Sequence, residues 1–199
     1  MKSIILATAL AALATTAFAQ NQPMNAAPAA QSGSQGQQAQ KTSPATQQFM
    51  QKAALTDLFE IQAGQLAQQK AQGAEYKQFG EMIFTDHTKT SQQLKGMALN
   101  MPGAQMPGGL DAAHKQKFDK LQSLSGAQFD TEFKSEQVKG HQEAIKLYQD
   151  YAQKGDQPDL KKFAQDTLPA LQQHLQHAQA LPKEGGAATV GSGSSKKKQ

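Results

Sequence analysis

Apolar side chains recur every three or four residues through most of residues 44–182, which is the period of an α-helix that buries one face. Runs that alternate between apolar and polar residues are short, so strands are not indicated. The pattern is interrupted where glycine and proline cluster, and such residues are typical of helix ends. The predicted helices span about 44–73, 74–101, 111–124, 129–154 and 158–181.

Four of the predicted helices are long, and the connections between them are short except for the second. That connection contains the segment MPGAQMPGG, the short helix and Gly126, which is expected to stop the short helix. Short connections make neighbouring helices antiparallel. The sequence therefore predicts an all-α antiparallel four-helix bundle with one extra short helix in the second crossover.

His87 lies on the apolar stripe of the second predicted helix. The stripe advances in steps of three and four residues, so its members share one face. These members are Tyr76, Phe79, Ile83, His87, Thr90, Leu94, Met97 and Met101. The ring of His87 is therefore expected to point inward, with Asp86 at the edge of the stripe.

Two further histidines occupy comparable positions. His174 lies within the apolar stripe of the fifth predicted helix, and His141 belongs to a polar line beside the stripe of the fourth. That polar line is Asp130, Gln137, His141 and Tyr148. On the first predicted helix, Gln62 lies in the middle of the apolar side and Glu60 is expected to point roughly the opposite way. The apolar side of this helix is formed by Leu55, Leu58, Phe59 and Leu66.

Three imidazoles from three helices, with carboxylates close by in helical projection, suit zinc or copper. The candidate metal ligands are His87, His141, His174, Asp130 and Asp86. The alternative is a hydrogen-bonded core network without metal, because buried polar groups require partners in any case. The carboxylates, Gln62, Gln137 and Tyr148 are sufficient partners for such a network. Helical projection does not show whether the three rings lie at one height, so both interpretations stay open.

Other metal chemistry has weaker support in the sequence. Ferritin-type di-iron sites use Glu-x-x-His on two helices, and this motif does not occur here. Met97, Met101 and Met106 are soft ligands of the kind that copper(I) prefers, although methionines more commonly fill gaps in a core. His114 and His177 are expected to face solvent.

Catalytic motifs are not evident. The chain has no cysteine and no G-x-S-x-G nucleophile motif. The glycines of residues 103–109 follow no predicted strand and precede no Gly-Lys-Ser/Thr, so they do not form a phosphate-binding loop. The sequence favours a protein without enzymatic activity.

The two ends of the chain differ in composition from the helical region. Lys2, an apolar run over residues 4–14 and Ala17-Phe18-Ala19 are the pattern of a secretory signal peptide over residues 1–19. Residues 20–43 predict a disordered leader rich in Gln, Ala, Ser and Pro, and residues 183–199 predict a flexible basic tail. The folded domain is then 44–182, without a transmembrane span. We expect the mature protein in the periplasm or outside the cell, with association to the outer membrane as a further alternative.

The sequence pI of about 9.2 does not indicate nucleic-acid binding. Residues 44–182 contain 14 lysines against 15 Asp and Glu, which gives the helical region a net charge of −1. Arginine, which recognises phosphate through two parallel hydrogen bonds, is missing from the whole chain. The excess of positive charge lies near the two ends and indicates no nucleic-acid partner.

Several stretches together resemble the bacterial family known as domain of unknown function 4142. They are DLFEIQAGQLAQQKA (57–71), DHTK (86–89), LSGAQFDTEF with QVKGHQEAIKLY (124–148) and LKKFAQDTLPALQQHLQHAQAL (160–181). The resemblance implies an exported protein with a ferritin-like fold, sometimes described as a predicted outer-membrane protein, and implies no established activity. The positions that match the family are Glu60, Asp86, His87, Asp130, His141 and His174. The family commonly has a second glutamate where this chain has Gln62, which weakens any metal site that relies on that carboxylate.

Taken together, the residues and the resemblance predict an exported, non-catalytic helical-bundle protein with a buried His/Asp network. The alternative is a ferritin-like protein that binds a transition-metal ion (zinc, copper or iron) as its cofactor through the inward histidines. An interaction module that meets a partner in the envelope or at the cell surface is compatible with the first prediction.

Overall fold

The computed structural model describes residues 41–183, and within this range the chain forms five α-helices and no β-strand. The helices are α1 (Pro44–Lys70), α2 (Ala74–Leu99), α3 (Ala112–Ser123), α4 (Gly126–Lys154) and α5 (Pro158–Ala180). The predicted all-α class is confirmed. None of these helices combines the length and the apolar composition that crossing a bilayer requires. The predicted signal peptide, residues 20–40 of the predicted leader and the tail from residue 184 lie outside the described residues.

The starts of α1 and α3 follow from capping side chains in the sequence. Ser43 Oγ accepts a hydrogen bond from the backbone N–H of Thr46 at 3.1 Å, and Pro44 occupies the first helical position. Asp111 Oδ1 accepts from the N–H of His114 at 2.9 Å. Each cap satisfies a backbone donor that has no partner within the helix.

The boundary between the short helix and α4 differs from the prediction. Gly126 was expected to stop the short helix, but α3 already ends at Ser123 and Gly126 is the first residue of α4. The φ angle of Gly126 is 58°, which glycine adopts readily because it has no Cβ. The glycine therefore marks a turn of the chain into the next helix, and α4 begins three residues before Phe129.

Two glycines allow α1 and α2 to approach each other closely. A Cβ on Gly64 would lie 2.6 Å from the carbonyl oxygen of Gly80, and a Cβ on Gly80 would lie 2.7 Å from the Cβ of Ala67. Neither position has room for a side chain. Nearer the start of α1, Asp57 bonds to His87, which lies further along α2 than Gly80. The two helices are therefore antiparallel.

The other long-helix contacts are arranged in the same way. From His141 to Tyr148 the chain advances along α4, and the ring partners of these residues on α5 are His174 and Phe163, in reverse order. Helices α4 and α5 are therefore antiparallel. Helix α1 packs against α4, where Phe49 contacts Tyr148, and α2 packs against α5. The short helix α3 lies against α1 and α4.

A layer of polar side chains divides the apolar core into two clusters. One cluster contains Met50, Leu94 and Leu160, and the other contains Ile83 and Phe133. The buried polar side chains that lie along the helices between these clusters, here called the polar layer, are Asp57, Glu60, His87, Gln137, His141 and His174. The fold thus surrounds a small set of titratable groups with apolar side chains on both sides.

Candidate metal centre

The three inward histidines converge in the polar layer. His87 on α2, His141 on α4 and His174 on α5 have ring centroids separated by 5.7 Å (87–141), 5.6 Å (87–174) and 5.3 Å (141–174). One nitrogen of each ring lies within 4.8 Å of the corresponding nitrogens of the other two. All three residues are at most 3% exposed. The helical period had placed the rings inward, and the structure adds that they lie at the same depth.

One nitrogen of each imidazole is held by a hydrogen-bond acceptor. Nδ1 of His87 donates to Asp57 Oδ1 at 2.8 Å. Nδ1 of His141 donates to the carbonyl oxygen of Gln137 at 2.9 Å. Nε2 of His174 donates to Asp86 Oδ2 at 3.1 Å. These bonds fix the tautomer and the orientation of each ring, as the outer hydrogen bonds of metal-bound histidines do.

The second nitrogen of each ring has no such acceptor. His87 Nε2, His141 Nε2 and His174 Nδ1 are buried and have no hydrogen-bond partner among the described residues. A buried polar atom without a partner lowers stability by about 1–3 kcal/mol, so three of them side by side require an explanation. A metal ion is the one species that accepts three lone pairs at once. The residues present therefore fit a transition-metal ion.

Burial keeps two of the three rings uncharged. Burial, together with the nearby His87 and His174, lowers the pKa of His141 to about 3, against the opposing effect of the hydrogen bond to Gln137. Burial also lowers the pKa of His174 to about 4, although Asp86 opposes the shift. A neutral imidazole is the form that binds a metal ion. At neutral pH, His141 and His174 are therefore in the protonation state that coordination requires.

His87 differs because it has a buried carboxylate beside it. Burial alone lowers the pKa of His87, but the hydrogen bond and the charge of Asp57 outweigh it, so that the pKa is raised. Asp57 is 1% exposed, and its Oδ1 also accepts from Thr90 Oγ1 at 2.9 Å. The carboxylate increases the basicity of the ring that it holds, which strengthens a metal ligand.

Sequence reasoning missed Asp57 and misplaced Glu60. Glu60 was expected to point away from the core, but it is 1% exposed and accepts a hydrogen bond from Gln137 Nε2. Burial raises the pKa of Glu60, against the lowering effects of His87 and Gln137. On the predicted apolar side of α1, Phe59 and Leu66 are buried, whereas Leu55 and Leu58 are only half-buried. The buried face also carries Ala53, Ala63 and Ala67. This face could have been found from the alanines, which recur at helical spacing along α1. Gln62, which was placed on the predicted apolar side, is only half-buried.

The two other predicted ligands have different places. Asp86 holds His174 at the edge of the cluster and is therefore a positioning group. Asp130 is not brought to the histidines: its carboxylate accepts from the N–H of Gln72 at 3.1 Å and from that of Gly73 at 2.9 Å. It lies eleven residues before His141, which is about 16 Å along a helix. Asp130 thus holds the turn between α1 and α2.

The remaining predicted residues lie outside the cluster. The ring of His114 donates to Asp111, and His177 is exposed. The three methionines proposed as copper(I) ligands, Met97, Met101 and Met106, are partly buried and pack against an apolar cluster.

Comparison with known proteins adds a fold relative and a family. The structure is similar to that of a protein described as "CopM in the Cu(II)-bound form", with a TM-score of 0.55 and 19% sequence identity over 67% of this chain and 92% of that chain. At this identity the likeness concerns the fold alone. No functionally curated protein matches the sequence significantly. The sequence model of the family described as "Domain of unknown function (DUF4142)" matches residues 28–181, so the chain belongs to the DUF4142 family.

Proposed function

We propose that this protein is an exported, non-catalytic metal-binding protein that holds one copper or zinc ion between His87, His141 and His174. The observation that carries the proposal is that the two nitrogens of each imidazole ring have different surroundings. One nitrogen is held by an acceptor, and the other is buried without a partner beside its two counterparts. A hydrogen-bonded network without metal accounts for the first nitrogen of each ring but not for the second.

We propose that the fold is a ferritin-like antiparallel four-helix bundle. The supporting contacts are those of α1 with α2 and α4, and of α5 with α2 and α4. Helix α3 then belongs to the crossover between the two helix pairs, as the sequence predicted. In such bundles, metal sites are built from side chains on facing helices.

Copper and zinc are favoured by the chemistry of the ligand atoms. Imidazole nitrogens suit both ions, whereas calcium, magnesium and manganese prefer oxygen. Three protein ligands leave one position for water on a four-coordinate ion. A cavity of about 20 Å³ lies against His87 and His174, and this volume is sufficient for one water molecule. The Cu(II)-bound state of the similar structure concerns that protein, and copper is proposed here on the ligands.

A buffering or carrier role fits the size of the site. The cavity beside the histidines admits a molecule about as large as water, and a larger substrate would not reach the ion. Export is proposed from the signal-peptide pattern of residues 1–19. In the cell envelope, such a protein would hold or pass on an ion that is toxic or scarce when free.

Metal titration of the untagged, chelator-treated protein tests the proposal. We expect saturation at about one Cu²⁺ or Zn²⁺ per chain and a higher melting temperature, because a ligand that binds only the folded state stabilises it. The variant His141→Leu should lose the stabilisation. The double variant His114→Gln/His177→Gln is the matched control and should keep it, since neither ring belongs to the cluster. Absence of binding in the wild type would reject the metal site and leave the buried network as the better account.

A further inference from the structure

Helices α2 and α5 diverge beyond the polar layer and leave an open groove of about 810 Å³ between them. In the polar layer the two helices are joined, since His174 bonds to Asp86 and contacts the ring of His87. The groove lies on the other side of Asp86, toward the end of α2 and the start of α5. Its walls include Gln93 and Met97 from α2.

The groove and the small cavity at the histidines share part of their walls. The cavity of about 20 Å³ is lined by His87 and His174 together with Asp57. Four residues line both spaces, namely Asp86, Thr90, Thr167 and Ala170. These side chains therefore form a wall that the cavity beside the candidate metal centre shares with the open groove.

The shared wall and the cavity offer oxygen atoms to a passing cation. Asp86 has 35% of its side chain exposed, and its carboxylate bonds to Lys89 and His174. The hydroxyls of Thr90 and Thr167 belong to the same wall. Inside the cavity, Asp57 Oδ2 is buried and has no hydrogen-bond partner in the described part of the chain. A cation that loses its water shell step by step requires such replacements.

The groove on the opposite side of the molecule is less suitable. It has a volume of about 520 Å³ and is lined by residues of α1, α3 and α4, among them Glu60 and Asp150. It shares only Thr56 with the cavity at the histidines. The α2–α5 groove therefore shares more of its wall with the cavity at the histidines than the opposite groove does.

We propose that the α2–α5 groove is the route by which the metal ion reaches the three histidines, and that Asp86 with Thr90, Thr167 and Ala170 forms its neck. This inference rests on the proposed metal-binding function. It adds that binding and release pass through one defined opening and do not require the helices to separate elsewhere.

A larger side chain in the neck tests the route through its effect on the rates at which Cu²⁺ binds and dissociates. The probe is Cu²⁺ delivered from a glycine buffer, followed by quenching of tyrosine fluorescence, and release is followed after mixing with excess EDTA. In Ala170→Leu we expect association and dissociation to slow by the same factor, about tenfold or more, so that Kd does not change. Leu147→Phe, in the wall of the opposite groove and outside the cavity at the histidines, should leave both rates at their wild-type values.

A pair of surface variants gives a second test that does not depend on repacking the neck. Asp166 in the α2–α5 groove and Asp150 in the opposite groove are both exposed, and each pairs with a lysine four residues away. Replacing Asp166 by Lys should slow association of Cu²⁺ by about threefold or more at low salt, because positive charge at the mouth of a channel repels cations. Asp150→Lys makes the same charge change in the other groove and should have no such effect.

The outcomes distinguish a failure of the proposed route from a failure of the proposed metal site. Unchanged rates in both Ala170→Leu and Asp166→Lys would overturn the route while leaving the metal site in place. Slowing in Leu147→Phe and Asp150→Lys instead would also overturn it, and would assign the opposite groove. If the wild type does not bind Cu²⁺ at all, it is the proposed function that fails.

Discussion

The imidazole of His87 and the carboxylate of Asp57 form a buried pair, with Nδ1 of the histidine 2.8 Å from Oδ1 of the aspartate. The pair joins α2 to α1, and it determines which nitrogen of His87 remains for the cluster. Both residues are at most 3% exposed, so bulk water would not replace either partner if the other were removed. A charge left alone in such surroundings is strongly destabilising.

Asp57→Asn should weaken metal binding although every histidine is retained. The amide oxygen can still accept from His87, but the negative charge that strengthens the imidazole as a ligand is lost. Loss of such an outer partner typically weakens affinity by about 10–100-fold, which isothermal titration with Cu²⁺ or Zn²⁺ would measure.

Asp130→Asn is the matched control, because Asp130 is also buried but bonds to Gln72 and Gly73. We expect metal affinity to be unchanged and the free energy of unfolding to fall by about 1–3 kcal/mol, since the amide has one acceptor oxygen where the carboxylate bonds two backbone donors through two oxygens. Equal losses of metal affinity in both variants would contradict the role given to Asp57.

His141→Leu and His87→Leu should differ in stability when metal is removed by a chelator. His141→Leu eliminates a nitrogen without a partner and should change the free energy of unfolding by no more than about 1 kcal/mol. His87→Leu leaves the carboxylate of Asp57 without its imidazole and should lower stability by about 3–5 kcal/mol. Urea denaturation in EDTA measures both values, and equal destabilisation by the two substitutions would speak against the assignment of bonds.

The stability of the wild type relative to His141→Leu should depend on pH in a defined direction. Burial beside two other histidines lowers the pKa of His141 from its ordinary value of 6.5 to about 3 in the folded protein, so the unfolded chain binds the proton more tightly. The contribution of the neutral His141 ring to the free energy of unfolding is therefore complete above pH 6.5 and is lost as the pH falls toward 3. The metal-free proteins can be denatured at several pH values between 7 and 4. The free energy of unfolding of the wild type should fall faster with decreasing pH than that of His141→Leu. A parallel decline would show that His141 titrates normally.

The contact between α1 and α2 should tolerate no side chain at Gly64. Its Cβ would lie 2.6 Å from the carbonyl oxygen of Gly80, so Gly64→Ala should lower the free energy of unfolding by about 1–3 kcal/mol. Gly96→Ala is the control on α2, because nothing lies within 4 Å of its Cβ. This exposed helical position should gain about 0.5–1 kcal/mol in thermal or urea denaturation. Similar effects at both sites would mean that the helices do not pack through Gly64.

The helices and the inward direction of three histidines could be predicted because both depend on local sequence. The helical period assigns each residue to a face of its own helix, and this was sufficient for His87, His141 and His174. The same reasoning failed for Glu60 on α1, where the buried face carries alanines and glycine and two of the leucines, Leu55 and Leu58, are only partly covered. A face made of small residues has a weak hydrophobic signal, although it permits the closest packing.

What the sequence by itself determined is therefore the helical fold and the inward direction of the histidines on α2, α4 and α5. Only the tertiary structure decided that three rings meet at one depth, that Asp57 holds His87 and that Asp130 lies elsewhere. The physical reason is that the buried face of a helix depends on the residues of that helix. The axial position of one helix relative to its neighbour depends instead on contacts between distant segments of the chain. The close approach of Gly64 to Gly80 is one such contact, and it positions Asp57 opposite His87.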